Sequence, residues 1–204
     1  MPNLSTRLRT HLRDFARNSS QDGLYFMLHE EKVASDSEKV AELFDADSEV
    51  CWIAGLTHDL GYGQPGKSQT HHLRSQKIAS KKLHDLGFSP DFVGRVNNAI
   101  LHHDSVLDPS KFPLEDVVVC QVDAGSFFKY YKGMAIWLYH MMIRDGEPSQ
   151  RMEMVRSYLL SHSEETESYI TMPEIRRMYE EEIGKFRRRI DVLDVAKLID
   201  HGYR

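Results

Sequence analysis

A histidine and an aspartate stand side by side at the end of an apolar run in residues 51–64, CWIAGLTHDLGYGQ. An ionised carboxylate that is removed from water costs several kcal/mol unless a cation pairs with it. His58 and Asp59 therefore indicate a cation inside the protein, which is either a basic side chain or a metal ion. The same dipeptide at His84 and Asp85 falls in the last turn of a predicted helix, where the helix dipole favours an exposed histidine. We assign that second pair a structural role.

Two further donors of the metal-binding type fall on apolar helix faces. His29 shares a face with Tyr25 and Val33, and Asp123 lies one turn before Phe127. Taken alone, a histidine on such a face is more often a hydrogen-bonded core residue than a ligand. Four inward donors together exceed the polarity that a protein core normally buries, and a shared metal ion would satisfy all of them.

These donors form a two-nitrogen, two-oxygen set without thiolate: His29, His58, Asp59 and Asp123. Such a set suits Mn, Fe, Co, Ni or Zn better than a structural, cysteine-rich zinc site. Side chains of neighbouring helical residues diverge by about 100°, so the histidine and aspartate of the dipeptide converge most easily where their helix ends. Gly61 and Gly63 permit that ending.

Helical periodicity dominates along the chain, and no strand-like alternation competes with it. We predict helices over residues 3–18, 22–44, 48–61 and 68–86, then from Ser89 and from Pro113 onward, followed by charged amphipathic helices to about residue 200. Ser48 and Ser89 are predicted N-caps, and Gly87 is a predicted stop. The aromatic and methionine-rich run at 127–142 is interpreted as core rather than as a base-binding pocket. The expected fold is all-α, in a single domain over residues 1–204.

Composition and charge restrict the partners. The chain has 204 residues and a net charge of −5, which disfavours a protein that tracks the phosphates of a nucleic-acid polymer but leaves a small anionic ligand possible. Cys51 and Cys120 lie in apolar runs and are typical of reduced core cysteines. The longest apolar stretch is too short for a bilayer and the N-terminus lacks a signal sequence. We expect a cytoplasmic protein without nucleic-acid or membrane partners, and a homo-oligomer is compatible with the sequence.

The motif LTHDLGYG resembles the HD-domain metal-dependent phosphohydrolases, in the variant with His-Asp, a branched residue and glycine. The resemblance covers about residues 22–130 and implies an HD-domain helical bundle, with an N-terminal helix before it and a helical extension over 131–204. It implies one ion at the four donors and a second ion that Asp59 bridges. The implied further ligands are His72, in HHLRSQKIASKKL, and His102 and His103, in AILHHDS.

Two points in this assignment stay open. His71 directly precedes His72, so the two can exchange roles, and the helical stripe of Phe92, Val96 and Ala99 favours an inward His103 over His102. The loop after the motif lacks the lysine of many relatives. Lys67, Arg74 and Lys129 are therefore candidates for binding a substrate phosphate.

The resemblance thus implies a hydrolase that cleaves a phosphate ester or anhydride of a small molecule, and we take a nucleotide as the leading candidate. One or two divalent ions would activate water, and His58 and Asp59 would be the catalytic residues. Some proteins of this fold use two irons to activate oxygen, which is an alternative function. A regulatory protein that keeps the fold without the metal is a further alternative, and the complete ligand set disfavours it.

Overall fold

The computed structural model describes residues 4–20, 23–65, 68–142 and 147–200. No strand occurs among these residues, which confirms the all-α prediction. The α-helices of the described residues are α1 (Thr6–Ser19), α2 (Gly23–Tyr25), α3 (Glu31–Leu43), α4 (Ser48–Thr57), α5 (His71–Asp85), α6 (Pro90–His102), α7 (Leu114–Trp137), α8 (Pro148–Ser168), α9 (Pro173–Arg189) and α10 (Val195–Asp200). Two π-helical segments occur, Phe26–Glu30 and Leu138–Met142, and three short 3-10 turns, Leu60–Gly63, Ser68–Thr70 and Ile190–Val192.

The central helix of the bundle is α4, which packs against α3, α6 and α7. Its residues from Val50 to Thr57 are all buried, as expected of a helix that is apolar on every side. Gly55 allows α3 to approach closely, because a Cβ atom at this position would lie 2.9 Å from the Cα of Ala34. The end of α4 is therefore held inside the protein, where His58 has no exposed surface and Asp59 is 5% exposed.

The helix ends follow the predicted capping chemistry with one exception. Ser89 caps α6 by accepting a hydrogen bond from the backbone N–H of Phe92, and Gly87 follows α5 with a φ of +80°, both as predicted. The prediction that Ser48 caps α4 is wrong. Asp47 is the N-cap, because its carboxylate reaches the backbone N–H groups of two residues in the first turn, and Ser48 is the first helical residue.

The long helix α7 links the bundle around α4 to the C-terminal helices. It packs against α3, α4 and α6, and it also packs against α8, α9 and α10. At Gly125 a Cβ atom would lie 2.2 Å from the ring of Tyr179, so only glycine allows α9 this close. Within the described residues, no helix is long and apolar enough to cross a lipid bilayer.

Candidate metal centre

The end of α4 meets the π-helical segment that precedes α3. His29 lies in this segment, and π turns are often found at functional sites. His58 follows the last residue of α4 with helical backbone angles, whereas Asp59 has left the helix, with φ −104° and ψ 3°. Because the helix ends between them, the two side chains can face the same point, as the sequence led us to expect.

Three other elements bring the remaining donors to this point. His71 begins α5, His103 follows the last residue of α6, and Asp123 lies within α7. Gly61 fixes the start of α5, since a Cβ atom there would lie 2.1 Å from the carbonyl oxygen of His71. Ser75 strengthens the junction by accepting a hydrogen bond from the backbone N–H of Gly61 at 2.8 Å.

The first donor group consists of His29, His58, Asp59 and Asp123. The Nε2 atoms of the two histidines are 3.1 Å apart. The Nε2 atom of His29 lies 3.4 Å from Oδ2 of Asp59 and 3.3 Å from Oδ1 of Asp123, and the corresponding distances from His58 are both 3.5 Å. The structure thus brings together the four donors that were chosen from the sequence.

A second donor group uses the other carboxylate oxygen of Asp59. The Nε2 atoms of His71 and His103 are 3.0 Å apart and lie 3.2 and 3.6 Å from Oδ1 of Asp59. All three side chains are buried. Asp59 is therefore placed to bridge two adjacent positions, one at each of its oxygens.

Backbone carbonyl groups fix the ring orientations of two histidines through the Nδ1 atoms. The Nδ1 atom of His58 is 2.8 Å from the carbonyl oxygen of Gly55, and that of His103 is 2.7 Å from the carbonyl oxygen of Ile100. A backbone carbonyl can only accept, so each Nδ1 carries the proton and each Nε2 presents a lone pair to the centre. This is the usual support of a histidine that binds a metal ion.

The donor set fits a divalent metal ion. Ligands at about 2.1 Å from one ion stand roughly 3.0 to 3.4 Å from each other in octahedral or tetrahedral geometry, and the distances in both groups are close to this range. Lone pairs of imidazoles that face carboxylate oxygens in a buried site repel one another unless a proton or a metal ion lies between them. Combinations of these six side chains account for the three possible metal-binding groups among the described residues.

The pKa shifts of these groups also indicate that the centre favours a positive charge. Burial opposes a charge on His58, but the carboxylates of Asp59 and Asp123 outweigh it and raise the pKa of the imidazole to about 10. Burial also opposes the ionisation of both carboxyl groups, but His58 and the other nearby histidines lower the pKa of each. The centre therefore keeps its carboxylates ionised and attracts a proton or a metal ion.

A tyrosine that the sequence reasoning did not select also contacts the centre. The hydroxyl of Tyr25 donates a hydrogen bond of 2.6 Å to Oδ2 of Asp59, and its ring packs against His29 and Trp137. Tyr25 had been placed on the same apolar face as His29, which was the available signal. The pattern suggested core packing, and it could not show that the hydroxyl reaches the carboxylate.

The structure corrects two predicted ligands of the second ion. It brings His71 to Asp59, whereas His72 has no place in either donor group and is only half-buried. The residue that begins α5 faces inward, and its neighbour is turned by about 100° away. His102 is turned away in the same manner, and its Nδ1 atom is 2.8 Å from Oδ2 of Asp116 instead.

The three cations proposed for substrate phosphate have different settings. Arg74 lines the cavity above the donors, where its Nε donates to the carbonyl oxygen of Gly61 and its Nη1 to the hydroxyl of Thr70, both at 2.9 Å. Lys129 does not line this cavity, because it pairs with the buried carboxylate of Asp36 at 2.6 Å. We therefore withdraw Lys129 as a phosphate ligand. Lys67 lies outside the described residues.

A cavity of about 740 Å³ opens from the donor groups. Asp59, His71, His103 and Asp123 form part of its floor, and aromatic side chains contribute much of its wall. Phe127, Met134 and Trp137 belong to this wall, so the run that we interpreted as core lies partly at the cavity. Tyr62, which was not selected from the sequence, stacks on His71. The two ring centroids are 4.0 Å apart and the interplanar angle is 14°.

An all-helical fold that joins a histidine, a His-Asp pair and a distant aspartate in one buried cluster defines a class of metal-binding protein. Residues 28–126 match the family model of the HD domain. These residues form an HD domain, and proteins of the HD-domain superfamily are generally metal-dependent hydrolases. No curated protein and no solved structure gives a significant match to the chain.

Proposed function

We propose that the protein is a metal-dependent phosphohydrolase that cleaves a phosphate ester or anhydride of a small molecule, with nucleotides as the leading substrate class. One observation carries the proposal: the two oxygens of Asp59 face two separate donor groups at the floor of a cavity of about 740 Å³. A pair of adjacent ions that share one carboxylate is the arrangement that phosphoryl transfer uses in many enzymes.

The residues that would hold the ions divide into two sets. His29, His58, Asp123 and Oδ2 of Asp59 would hold the first ion, and His71, His103 and Oδ1 of Asp59 would hold the second. Bound divalent ions supply Lewis acidity, which makes water a better nucleophile and stabilises negative charge on phosphoryl oxygens. We assign no particular metal, since the nitrogen and oxygen donors suit Mn, Fe, Co, Ni and Zn.

The protein's own contribution is position and charge. Asp59 is held by the Tyr25 hydroxyl, and His58 and His103 are held by backbone carbonyls, so the donors are pre-oriented. Arg74 extends its guanidinium along the cavity wall and is fixed by Gly61 and Thr70, which places a permanent positive charge beside the donors. An anionic phosphate group is therefore attracted to the same end of the cavity.

The overall reaction is the addition of water across a phosphorus–oxygen bond. A bond forms between the water oxygen and phosphorus, and the bond from phosphorus to the leaving oxygen breaks. One proton of the water ends on the leaving oxygen, which gives a free alcohol or a shorter phosphate, together with the released phosphate. The reaction needs neither an oxidant nor a reductant.

The test uses protein purified without chelator and loaded in turn with Mn, Fe, Co, Ni and Zn. We expect release of phosphate from nucleotides or simple phosphate esters by the wild type and none by Asp59→Ala. Asp85→Ala is the matched control, because His84 and Asp85 are exposed and the carboxylate pairs with Lys81 at 3.2 Å. If every metal form fails to release phosphate from the whole panel, the proposal is wrong.

The donor set is also compatible with a pair of irons that activates oxygen, because a carboxylate that bridges two histidine-rich positions suits both chemistries. Oxygen uptake by the iron-loaded protein is therefore measured in the same assays. Oxygen consumption without phosphate release would favour the oxygenase. Absence of metal binding and of both reactions would favour a regulatory protein that keeps the fold without the metal.

A further inference from the structure

The helix α8 lies outside the segment that matches the HD domain, yet one of its faces borders the cavity. Its side chains at the cavity are Tyr158, His162, Glu165 and Thr166, and Tyr169, which directly follows the helix, lines the cavity as well. At 100° per residue these positions fall within about 100° of the helix circumference, so they form a single stripe. We call these five residues the α8 face.

Aromatic rings dominate the wall on both sides of the cavity. On the α8 face, the ring of Tyr158 stacks on His162 with centroids 4.0 Å apart and an interplanar angle of 25°. Tyr62, Phe127 and Trp137 also line the cavity. Flat aromatic surfaces bind other flat rings by stacking, and they offer little to a flexible chain of phosphates.

The cavity wall carries both positive and negative side chains. Arg74 is a cation at the cavity wall, whereas Glu165 on α8 and Asp104, which directly follows the donor His103, place carboxylates at the cavity. The hydroxyl of Tyr169 donates to Oε1 of Glu165 at 3.1 Å and also faces Asp104. A second or third phosphate group that extended from the donors toward this wall would be repelled, whereas a ring with hydrogen-bond donors would be accepted.

We propose that the α8 face selects the organic part of the substrate, and that it favours a phosphate monoester with a nucleobase-like aromatic ring over a nucleoside triphosphate. This inference rests on the proposed function for the placement of the phosphate at the donor groups. It assigns substrate choice to a helix beyond the matched HD domain.

The first experiment measures binding without turnover. The probes are phosphonate analogues of AMP and of glycerol phosphate, in which a methylene group replaces the ester oxygen, added to Mn-loaded protein in a calorimeter. We expect the AMP analogue to bind at least tenfold more tightly, as one stacked ring contributes about that factor. Tyr158→Leu should remove most of the difference, and Tyr158→Phe should keep it because the ring remains.

The second experiment compares AMP and ATP as substrates at a fixed concentration of free metal. We expect kcat/KM to be about tenfold higher for AMP, and Glu165→Gln to reduce this preference about threefold or more by removing a negative charge. Glu164→Gln is the matched control, since Glu164 is the neighbouring exposed carboxylate and borders a different cavity. The control should leave the ratio unchanged.

The two experiments separate this inference from the proposed function. Absence of phosphate release would overturn the proposed function, and the binding experiment would still decide the role of the α8 face. Equal binding of the two phosphonates, or the same loss for both in Tyr158→Leu, would overturn the inference. A wild type that prefers ATP over AMP would overturn it as well.

Discussion

The Nε2 atoms of His71 and His103 lie 3.0 Å apart and face the same oxygen of Asp59. One residue begins α5 and the other follows α6, and these helices pack against each other. The second donor group thus depends on how two neighbouring helices are aligned at their ends. Gly61 and Ser75 hold that alignment through the close contact between the turn after α4 and α5.

This relationship predicts different effects for two adjacent histidines. His71→Ala should bind one ion per chain in place of two, because it removes a nitrogen donor that faces Asp59. His72→Ala should keep two ions, since His72 takes part in neither donor group. Metal analysis of both purified variants after dialysis checks the prediction. A one-ion protein from His72→Ala together with a two-ion protein from His71→Ala would show that the assignment is reversed.

Tyr25 offers a test of how the bridging carboxylate is oriented. Tyr25→Phe removes the hydroxyl that donates a hydrogen bond of 2.6 Å to Oδ2 of Asp59. The variant keeps the ring contacts to His29 and Trp137. A hydrogen bond to a charged group contributes about 1.5–3 kcal/mol. We therefore expect kcat/KM to fall roughly tenfold or more, with the metal content unchanged. Steady-state kinetics and metal analysis on the same sample decide it, and an unchanged kcat/KM would contradict a positioning role.

Sequence reasoning located the first donor group because each of its members interrupts an apolar helix face. His29 and Asp123 are 94 positions apart in the chain, and only the chemistry of buried polar groups links them before the fold is known. The pattern failed where two histidines are adjacent. At the ends of α5 and α6, a rotation of about 100° per residue decides which neighbour faces inward, and the helix boundary that sets this rotation is not visible in the sequence.

The residues that line the cavity could not be predicted from the sequence, for a different reason. Tyr158 and Glu165 belong to α8 and Tyr169 directly follows it, in a segment whose sequence is typical of an ordinary charged amphipathic helix. Their position at the cavity depends on how α8 packs against α7, which is a tertiary contact. Arg74 could be named from the sequence as a candidate phosphate ligand. The sequence could not show that Lys129 is a poorer candidate, because Lys129 pairs with Asp36, which is distant in the chain.

Removal of the metal should lower the stability of the fold. Without a cation, the buried carboxylate of Asp59, the partly buried carboxylate of Asp123 and the surrounding imidazoles lose their common partner. Because a bound ion stabilises only the folded state, we expect excess chelator to lower Tm by about 5–10 °C. Differential scanning calorimetry with confirmed loss of metal measures this shift. Asp59→Ala is the control, since chelator should have little further effect on a variant that holds no ion.

Arg74 and Lys129 should respond differently to substitution, because Arg74 lines the cavity and Lys129 pairs with Asp36. Arg74→Ala removes the guanidinium beside the donors, so we expect KM for a phosphate ester to rise about tenfold or more. Arg74→Lys should restore only part of the loss, because an ammonium group cannot contact Gly61 and the substrate in the same geometry.

Lys129→Ala should leave kcat/KM within about twofold and lower the stability instead. The substitution takes one cation from the buried carboxylate of Asp36, which keeps the hydroxyl of Tyr130 and the more distant Lys39. Lys129 is partly exposed, so the loss should stay near 1 kcal/mol, which corresponds to a fall in Tm of about 2–4 °C. Kinetics and thermal melts of both variants test the contrast. A large rise in KM for Lys129→Ala with unchanged Tm would return Lys129 to the phosphate site.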